Sequence, residues 1–299
     1  MPRPSTKPLR ASLSRSVRLL REFRHEQSDP ARFYTALAQD SAAQVAHYTP
    51  LDSRLVFDVG GGPGYFRDAF REAGARYLAL DSDVGELAGL GDIATGTVVG
   101  SGMQLPVRTG CVDVCYSSNV LEHVAQPWTM AREMVRATKP GGLVFISYTV
   151  WFGPWGGHET APWHFLGGAR ARRRYTRVHG HEPKNKYGES LFPVTVAAGL
   201  RWAREQEDAG TVDVVHLTPR YNPWWSRWML RVPVLRELVR SVEFKGALAA
   251  ELQEHVWPLL ADRKVQPVMD MIYPLAEAWR AHERMEAGSH IGKIVLDVE

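Results

Sequence analysis

The chain of 299 residues is long enough for one large domain or two modest ones, and its 44% hydrophobic and 23% charged residues are typical of a globular protein with a sizeable core. A net charge of +3 does not by itself indicate a nucleic-acid binder. No apolar run approaches the ~18 residues of a transmembrane helix, and the lack of an apolar h-region argues against a secretory signal. The two cysteines, Cys111 and Cys115, share one strand-like run, which excludes a disulfide framework and favours a reducing, cytoplasmic compartment.

The amino-terminal segment, residues 1–49, is basic and has a helical pattern. Its first 26 residues contain seven arginines and lysines against Glu22 and Glu26. This pattern is that of a transit peptide, of a helix that touches an anionic surface, or of a solvated amphipathic helix, and we favour the last. Helical spacing extends over residues 12–48 with a break at 28–30, where Ser28 or Asp29 is a suitable cap before Pro30.

From residue 55 the chain alternates between strand-like and helix-like stretches. This alternation predicts an α/β fold, a parallel sheet with helices on both faces and functional loops at the carboxyl ends of its strands. We assign this domain to residues 50–241, with a substrate-region insert at 151–193 and a further helix and strand near 194–205 and 212–217. The strand-like runs are RLVFDV (54–59), YLALD (77–81), GTVVG (96–100), VDVCYSS (112–118) and GLVFISYTV (142–150).

The stretch LVFDVGGGPGYF, residues 55–66, predicts a cofactor loop between the first strand and a helix. The dinucleotide spacing G-x-G-x-x-G is not met, because its third glycine position holds Tyr65 or Arg67. An aspartate and three glycines instead recur at every second position, and glycine lets a ligand backbone approach closely. The residues of this loop are Asp58, Gly60, Gly61, Gly62 and Gly64.

An acidic strand end followed by alternating glycines resembles motif I of the class I S-adenosylmethionine-dependent methyltransferases. The later motifs of that family have similar runs here in the same order, over residues 50–150: YLALD, VVGSGMQLP (98–106), VDVCYSSNVLEHV (112–124) and MVRATKPGGLVFIS (134–147). Further stretches resemble actinobacterial methyltransferases to which we assign no substrate. The resemblance implies a Rossmann-like sheet and S-adenosyl-L-methionine as the cofactor.

The resemblance also implies the residues that contact the cofactor. The Asp58 carboxylate would meet the cofactor's ammonium directly or through water, and Asp81 would accept both ribose hydroxyls. Ser101 stands where the family often has an aspartate near the adenine amino group, and its hydroxyl can still accept a hydrogen bond. The complete predicted set is Asp58, Gly60, Gly61, Gly62, Gly64, Asp81, Ser82, Ser101, Gly102, Met103 and Asn119.

Methyl transfer to oxygen also needs a general base. His123, in LEHV after the fourth strand, faces the cofactor in the quinone-biosynthesis methyltransferases that the chain resembles. Some of those bind a divalent metal through acidic residues beside this histidine, but Asn119 replaces one such carboxylate here, so we predict no metal. His158 and His164 follow the fifth strand in GPWGGHETAPWHF (153–165). We favour His158 as the base, with His123 and His164 next.

The identity of the acceptor stays open. Residues 167–186 are strongly basic, which suits a solvated helix face, an anionic acceptor such as a phosphorylated lipid or glycan, or RNA. The tryptophan-rich run at 222–231 suits a membrane interface or a core. We favour O-methylation of a small-molecule, lipid-linked or glycan hydroxyl. The alternatives are an RNA methyltransferase, although nucleic acid is the less favoured partner, and a non-catalytic protein that binds S-adenosylmethionine.

Residues 246–299 resemble the carboxyl-terminal end of the medium-chain NADPH:quinone oxidoreductases. The cofactor loop of that family is missing, so we expect a small α+β appendage without reductase activity. The run SVEFKGALAAELQEH (241–255) has helical spacing, which predicts that the last strand of the methyltransferase sheet is missing or replaced. KIVLDV (293–298) would either fill that gap or pair with VQPVMDMIY (265–273) in a separate subdomain, and we favour the second.

Overall fold

The structure is a computed structural model that describes residues 7, 9–25, 28–89 and 95–248, and in the tail residues 269–274, 277, 279–280, 283–284 and 293–297. The chain divides into two compact units, residues 1–249 and 250–299. Within the described part of the chain, no helix is both long and apolar enough to span a bilayer.

Two helices form the amino-terminal segment, with the predicted break between them. Helix α1 (Leu13–Phe23) begins after Ser12, and α2 (Pro30–Tyr48) begins after Asp29, whose carboxylate accepts a hydrogen bond from the Arg32 N–H. Arg15 on α1 forms a bidentate ion pair with buried Asp40 on α2, at 2.7 and 2.6 Å. Because the pair is largely enclosed, it specifies how α1 lies on α2.

The parallel part of the sheet is confirmed as predicted. Its strands read as nearly continuous apolar runs because helices cover both faces. One buried cluster lies on the side of α2 and α3, and the other lies on the side of α5. The elements are β1 (Leu55–Val59), α3 (Tyr65–Glu72), β2 (Arg76–Asp81), α4 (Val84–Leu87), β3 (Thr97–Val99), β4 (Val112–Ser118), α5 (Pro127–Ala137) and β5 (Thr138–Thr149). Strand order in this part is β3-β2-β1-β4-β5.

Two antiparallel strands complete the sheet. The remaining elements of the first unit are α6 (Gly168–His179), α7 (Val196–Asp208), β6 (Val212–Pro219), α8 (Pro233–Glu237) and β7 (Ser241–Leu248). Strand β7 lies between β5 and β6 and pairs with both. The seven-stranded sheet therefore closes with an antiparallel pair inside the first unit, which ends at residue 249.

The prediction that residues 241–255 continue as helix, leaving the last strand missing, is wrong for residues 241–248. All eight residues of β7 are buried, including Glu243 and Lys245. These two charges pair with each other at 2.6 Å, and the Lys245 ammonium lies over the rings of Tyr48 and Phe145. A charged residue at every second position is normally a solvent-facing pattern, so the sequence alone concealed a central strand.

The second unit contains a two-stranded sheet of β8 (Met269–Pro274) and β9 (Lys293–Asp297), paired in parallel. The predicted pairing of the 293–298 run with the 265–273 run is confirmed for the residues described. The alternative, in which the 293–298 run fills the methyltransferase sheet, is wrong because β7 occupies that position. Residues 249–268 lie outside the described residues, so the helical prediction for 249–255 is not tested.

Candidate active site

The glycine loop turns tightly over the ends of β1 and β2. Gly60 and Gly61 both donate their N–H to the Leu80 carbonyl, at 2.7 and 3.2 Å. Gly60 has a φ of +82°, and a Cβ there would lie 2.4 Å from the Val120 side chain. Gly62 and Gly64 also have positive φ, +50° and +90°, but an added Cβ there would meet open space. The loop therefore requires glycine and leaves room beside its backbone for a ligand.

Asp58 lies beneath this loop rather than at its surface. The residue is 1% exposed, and its carboxyl accepts a hydrogen bond from the Tyr77 hydroxyl at 2.6 Å. Burial raises the pKa of the Asp58 carboxyl to about 7, although the bond from Tyr77 opposes this. Tyr77 was not among the predicted site residues. The sequence pattern could have indicated it, because Tyr77 lies on β2, next to β1, and faces the same side of the sheet as Asp58.

Asp81, at the end of β2, holds the loop from the other side. One carboxylate oxygen accepts from the Gly62 N–H and the other from the Asp83 N–H, each at 3.0 Å. Ser82 is exposed beside it. In the next predicted segment, the Ser101 hydroxyl accepts from the Met103 N–H at 3.2 Å. Gly102 fits there because a Cβ would come within 3.1 Å of Met130 and 3.2 Å of Val59.

Asn119 follows β4 and has a positive φ of +56°. Its N–H donates to the Ser147 carbonyl at 2.8 Å, and its amide donates to the Tyr221 hydroxyl at 3.5 Å. Its Oδ1 is buried and has no hydrogen-bond partner among the described residues. A buried acceptor without a partner is costly, and it suits a ligand that supplies an N–H or O–H donor.

Two of the three predicted histidines meet at the ends of β4 and β5. His123 lies in a short 3₁₀ turn (Leu121–His123), and its Nδ1 is 2.8 Å from the Ser190 carbonyl. Because a carbonyl can only accept, Nδ1 carries the proton and Nε2 holds the lone pair in the neutral ring. His158 begins a second 3₁₀ turn (His158–Thr160), and its ring lies 5.1 Å from the His123 ring, centre to centre.

The surroundings keep His158 uncharged. Its Nε2 is buried and has no partner in the described part of the chain. Burial, reinforced by the neighbouring His123 imidazole, lowers the pKa of His158 to about 4. The backbone of His158 has a φ of +47°, an uncommon conformation that costs a non-glycine residue energy and that clusters at functional sites. His158 is therefore a neutral proton acceptor at physiological pH.

Glu122 completes a cluster with these two histidines. It is 2% exposed; its Oε1 accepts from the Thr149 N–H at 3.0 Å, and its Oε2 has no partner within the residues described. One potential ligand atom from each of Glu122, His123 and His158 lies within 4.8 Å of the other two. Such a group can relay a proton or hold a cation, and a carboxylate with two imidazoles is also a transition-metal donor set. The sequence places Glu122 beside His123 after β4, but it did not bring His158 to them, because His158 follows β5.

His164, the third candidate, is placed apart from the pair. It is 1% exposed and packs between Trp151 and Phe165, with its Nε2 3.2 Å from the Gly153 carbonyl. A Cβ on Gly157 would lie 2.5 Å from its ring, so His164 supports the turn that presents His158. This arrangement is that of a structural histidine.

An aromatic cluster around Arg240 borders the site and was not predicted. The Arg240 guanidinium lies 3.5 Å from the Phe23 ring centre, 4.7 Å from Tyr221 and 5.0 Å from Trp155. These residues come from α1, the insert and the segments on either side of α8. Since Tyr221 also contacts Asn119, the cluster adjoins the predicted cofactor residues.

The basic insert is partly neutralised. Arg172 on α6 contacts Glu182 at 2.6 Å and Glu189 at 2.7 Å, and the Arg174 guanidinium lies 3.9 Å from the Trp163 ring centre. Three of the seven cations in residues 167–186 therefore form ion pairs: Arg172 and Lys186 within the insert, and Lys184 with Glu86 outside it.

The chain is similar to known methyltransferases in sequence and in fold. The sequence matches the family described as "Methyltransferase domain" over residues 57–146, and the family described as "Zinc-binding dehydrogenase" over residues 106–296. Uncharacterized methyltransferases of Mycobacterium tuberculosis (strain ATCC 25618 / H37Rv) and Mycobacterium avium (strain 104) are 52% and 53% identical over 242 residues, which is 78% of this chain and 93% and 94% of theirs. A solved S-adenosylmethionine-dependent methyltransferase from Archaeoglobus fulgidus has a TM-score of 0.49 at 12% identity, covering 75% of this chain and 98% of that one.

The second family match fits the resemblance of the carboxyl-terminal segment to the end of the quinone oxidoreductases. The chain belongs to the class I S-adenosylmethionine-dependent methyltransferases, enzymes that use S-adenosyl-L-methionine as cofactor, and it carries a carboxyl-terminal segment of the zinc-binding dehydrogenase family.

Proposed function

We propose that the enzyme methylates a hydroxyl oxygen of a small-molecule, lipid-linked or glycan acceptor, with His158 as the general base. The observation that carries this proposal is the His123–His158 pair at the carboxyl ends of β4 and β5. Ligands of open α/β sheets bind at the carboxyl ends of the strands. The buried Nε2 of His158 is a basic atom at this position that has no partner among the described residues, as is Oε2 of the neighbouring Glu122.

The residues around the glycine loop fit the cofactor. The open space beside Gly62 and Gly64 admits a ligand backbone, and the Asp81 carboxylate at the loop's edge suits the ribose hydroxyls. Asn119 offers its unsatisfied Oδ1. When bound, the cofactor supplies an electrophilic methyl group. Asp58 is proposed to act on the cofactor through the loop above it. The residues proposed to contact the cofactor directly are Gly60, Gly61, Gly62, Gly64, Asp81, Ser82, Ser101, Gly102, Met103 and Asn119.

His158 serves this reaction by removing the acceptor's proton. Its Nε2 takes the hydroxyl proton as the acceptor oxygen becomes nucleophilic, and the imidazolium then releases that proton to water, which restores the neutral base. His123, oriented by the Ser190 carbonyl, faces His158 and can take part in this transfer. Positioning of the two reactants supplies up to ~7–11 kcal/mol in favourable cases, and the base adds ~10²–10⁴-fold.

The Arg240 cluster favours an acceptor that is partly apolar and partly anionic. Phe23, Trp155 and Tyr221 offer apolar ring surface, and Arg240 offers a positive charge that also acts on His158. A phosphorylated lipid-linked or glycan acceptor combines these properties.

Transfer of a labelled methyl group tests the proposal. The enzyme would be incubated with methyl-labelled S-adenosylmethionine and with lipid and aqueous extracts of a mycobacterium, the genus of its relatives. We expect label in a product that withstands mild alkali, as a methyl ether does. Label lost with alkali would indicate a methyl ester, and label lost with ribonuclease would indicate an RNA methyltransferase. Cofactor binding without transfer in any extract would indicate the non-catalytic alternative.

Replacement of the base tests its role separately. His158→Asn is expected to lower turnover by at least ~100-fold while cofactor affinity, measured by calorimetry, is unchanged. His181→Asn is the matched control, because this exposed histidine of the insert contacts Tyr175 and lies outside the cluster. Equal turnover in the two variants would remove His158 from the mechanism and make His123 the next candidate.

A further inference from the structure

Helix α1 presents an apolar stripe to solvent. Leu13, Val17 and Leu20 recur at the i, i+4, i+7 spacing of one helix face, and they are 61%, 39% and 51% exposed. The opposite side of α1 is the packed one, where Leu19 is buried and Phe23 contacts Phe33. Since an amphipathic helix of a globular domain normally turns its apolar stripe to the core, an outward stripe indicates a further contact.

Three tryptophans extend this stripe. Trp224, Trp225 and Trp228, in a 3₁₀ helix (Trp224–Arg231), are each about half exposed, at 48%, 56% and 50%. The Trp224 N–H donates to the Ala11 carbonyl at 2.9 Å, and the Arg10 guanidinium lies 5.5 Å from the Trp224 ring centre. These contacts join the tryptophan segment to the start of α1. Tryptophan is the side chain most typical of the boundary between a bilayer and water.

The same region is positively charged. The nearby acidic groups are engaged, since Glu22 contacts Arg32 at 2.7 Å and Asp40 is buried against Arg15. A net positive, tryptophan-rich and apolar surface is complementary to anionic lipid headgroups over acyl chains. A core-like protein interface would instead be depleted in charge. The exposed arginines are Arg10, Arg18, Arg21, Arg24, Arg227 and Arg231.

We propose that this region docks on the surface of an anionic lipid bilayer. The α1–tryptophan surface comprises Leu13, Val17, Leu20, Trp224, Trp225 and Trp228 with the arginines named above. The ring of Phe23, at the end of α1, lies 5.5 Å from the ring of Trp155, centre to centre. Trp155 precedes His158 by three residues. Helix α1 therefore connects the proposed docking surface, on its outer face, to the acceptor side of the active site, on its packed face. The proposal is independent of the acceptor's identity, because binding to a bilayer needs no methyl transfer.

Cosedimentation of the full chain with lipid vesicles tests the docking. We expect binding to phosphatidylcholine vesicles that contain phosphatidylglycerol, little binding to phosphatidylcholine alone, and weaker binding at high salt. The variant Arg21→Glu/Arg24→Glu should bind at least ~25-fold more weakly, because each arginine near an anionic surface contributes about fivefold. The variant Trp224→Ser/Trp225→Ser/Trp228→Ser should lose binding at any salt concentration. Unchanged melting temperature and cofactor affinity would show that both variants are folded.

Matched controls replace similar side chains elsewhere. Arg173→Glu/Arg177→Glu alters exposed arginines of α6, and Trp279→Ser alters a tryptophan of the second unit that is 65% exposed. Both controls should bind vesicles as the wild type does. The proposal is overturned if the α1–tryptophan variants bind like the controls, or if neutral vesicles bind equally well. It is also overturned if the protein does not bind vesicles and light scattering shows a dimer that the tryptophan variant loses. Binding of RNA in place of vesicles by the α1–tryptophan surface would overturn it as well.

Discussion

The two halves of the sheet are built in different ways. In the half formed by β1 to β3, the residues that shape the cofactor loop lie between Asp58 and Asp81, and their hydrogen bonds span about twenty positions. In the half formed by β5, β7 and β6, contacts join distant residues: His123 reaches Ser190, and the buried Arg220 reaches Ser41, 67 and 179 positions apart. The cofactor half is therefore a local motif, whereas the acceptor half depends on long-range assembly.

The largest expected effect comes from removing β7 from the half of the sheet that depends on long-range contacts. A chain that ends at Arg240 lacks β7, and we expect it to aggregate, because β5 and β6 lose their shared partner and each unpaired backbone group costs ~1–3 kcal/mol. Several such groups exceed the ~5–15 kcal/mol that holds a domain folded. A chain that ends at Ala249 keeps all seven strands and should show a cooperative thermal transition and full cofactor affinity. Equal behaviour of the two chains would mean that the sheet does not need β7.

A second prediction concerns the buried carboxyl of the local half. The pKa of Asp58 is raised from 3.8 to about 7, so the folded state holds this proton more tightly than the unfolded state. The stabilisation is therefore complete below pH ~4 and is lost as the pH rises through about 7, with an upper limit of ~4 kcal/mol. Asp58→Asn can still accept from Tyr77, and its stability relative to the wild type should rise over this range. Denaturant unfolding at several pH values measures the difference, and parallel curves would contradict the buried, protonated carboxyl.

The smallest of the three expected effects comes from removing the Asp81 carboxylate, which holds the glycine loop. Asp81→Ala should weaken binding of S-adenosylmethionine by ~10–150-fold, because hydrogen bonds to a charged group contribute ~1.5–3 kcal/mol. Asp83→Ala is the matched control, since this exposed carboxylate caps α4 two residues away. Calorimetry with both nucleotides also tests cofactor choice. Tight binding of NADPH with no response to S-adenosylmethionine would contradict the methyltransferase assignment of the loop.

The predictability of each region follows from the range of its contacts. The parallel strands, the helix break at 28–30 and the glycine loop were predictable, because apolar periodicity, a capping aspartate and positive φ are local requirements. Strand β7 was not predictable, because Glu243 and Lys245 give its sequence a solvent-facing pattern. Only the fold shows that these two buried charges pair with each other. The pairing of β8 with β9 in the tail was predictable, since KIVLDV is strongly strand-like and the two runs belong together in the family that the tail resembles.

The sequence by itself determined that the chain is an α/β methyltransferase with an S-adenosylmethionine loop and three candidate histidines. Only the tertiary structure decided that His158 and His123 face each other beside Glu122, that His164 supports a turn, and that Asp58 lies under the loop with Tyr77. The physical reason is that the charge state and role of a titratable group depend on what covers it. Burial and electrostatic neighbours arise from contacts between distant segments, which a linear pattern does not contain.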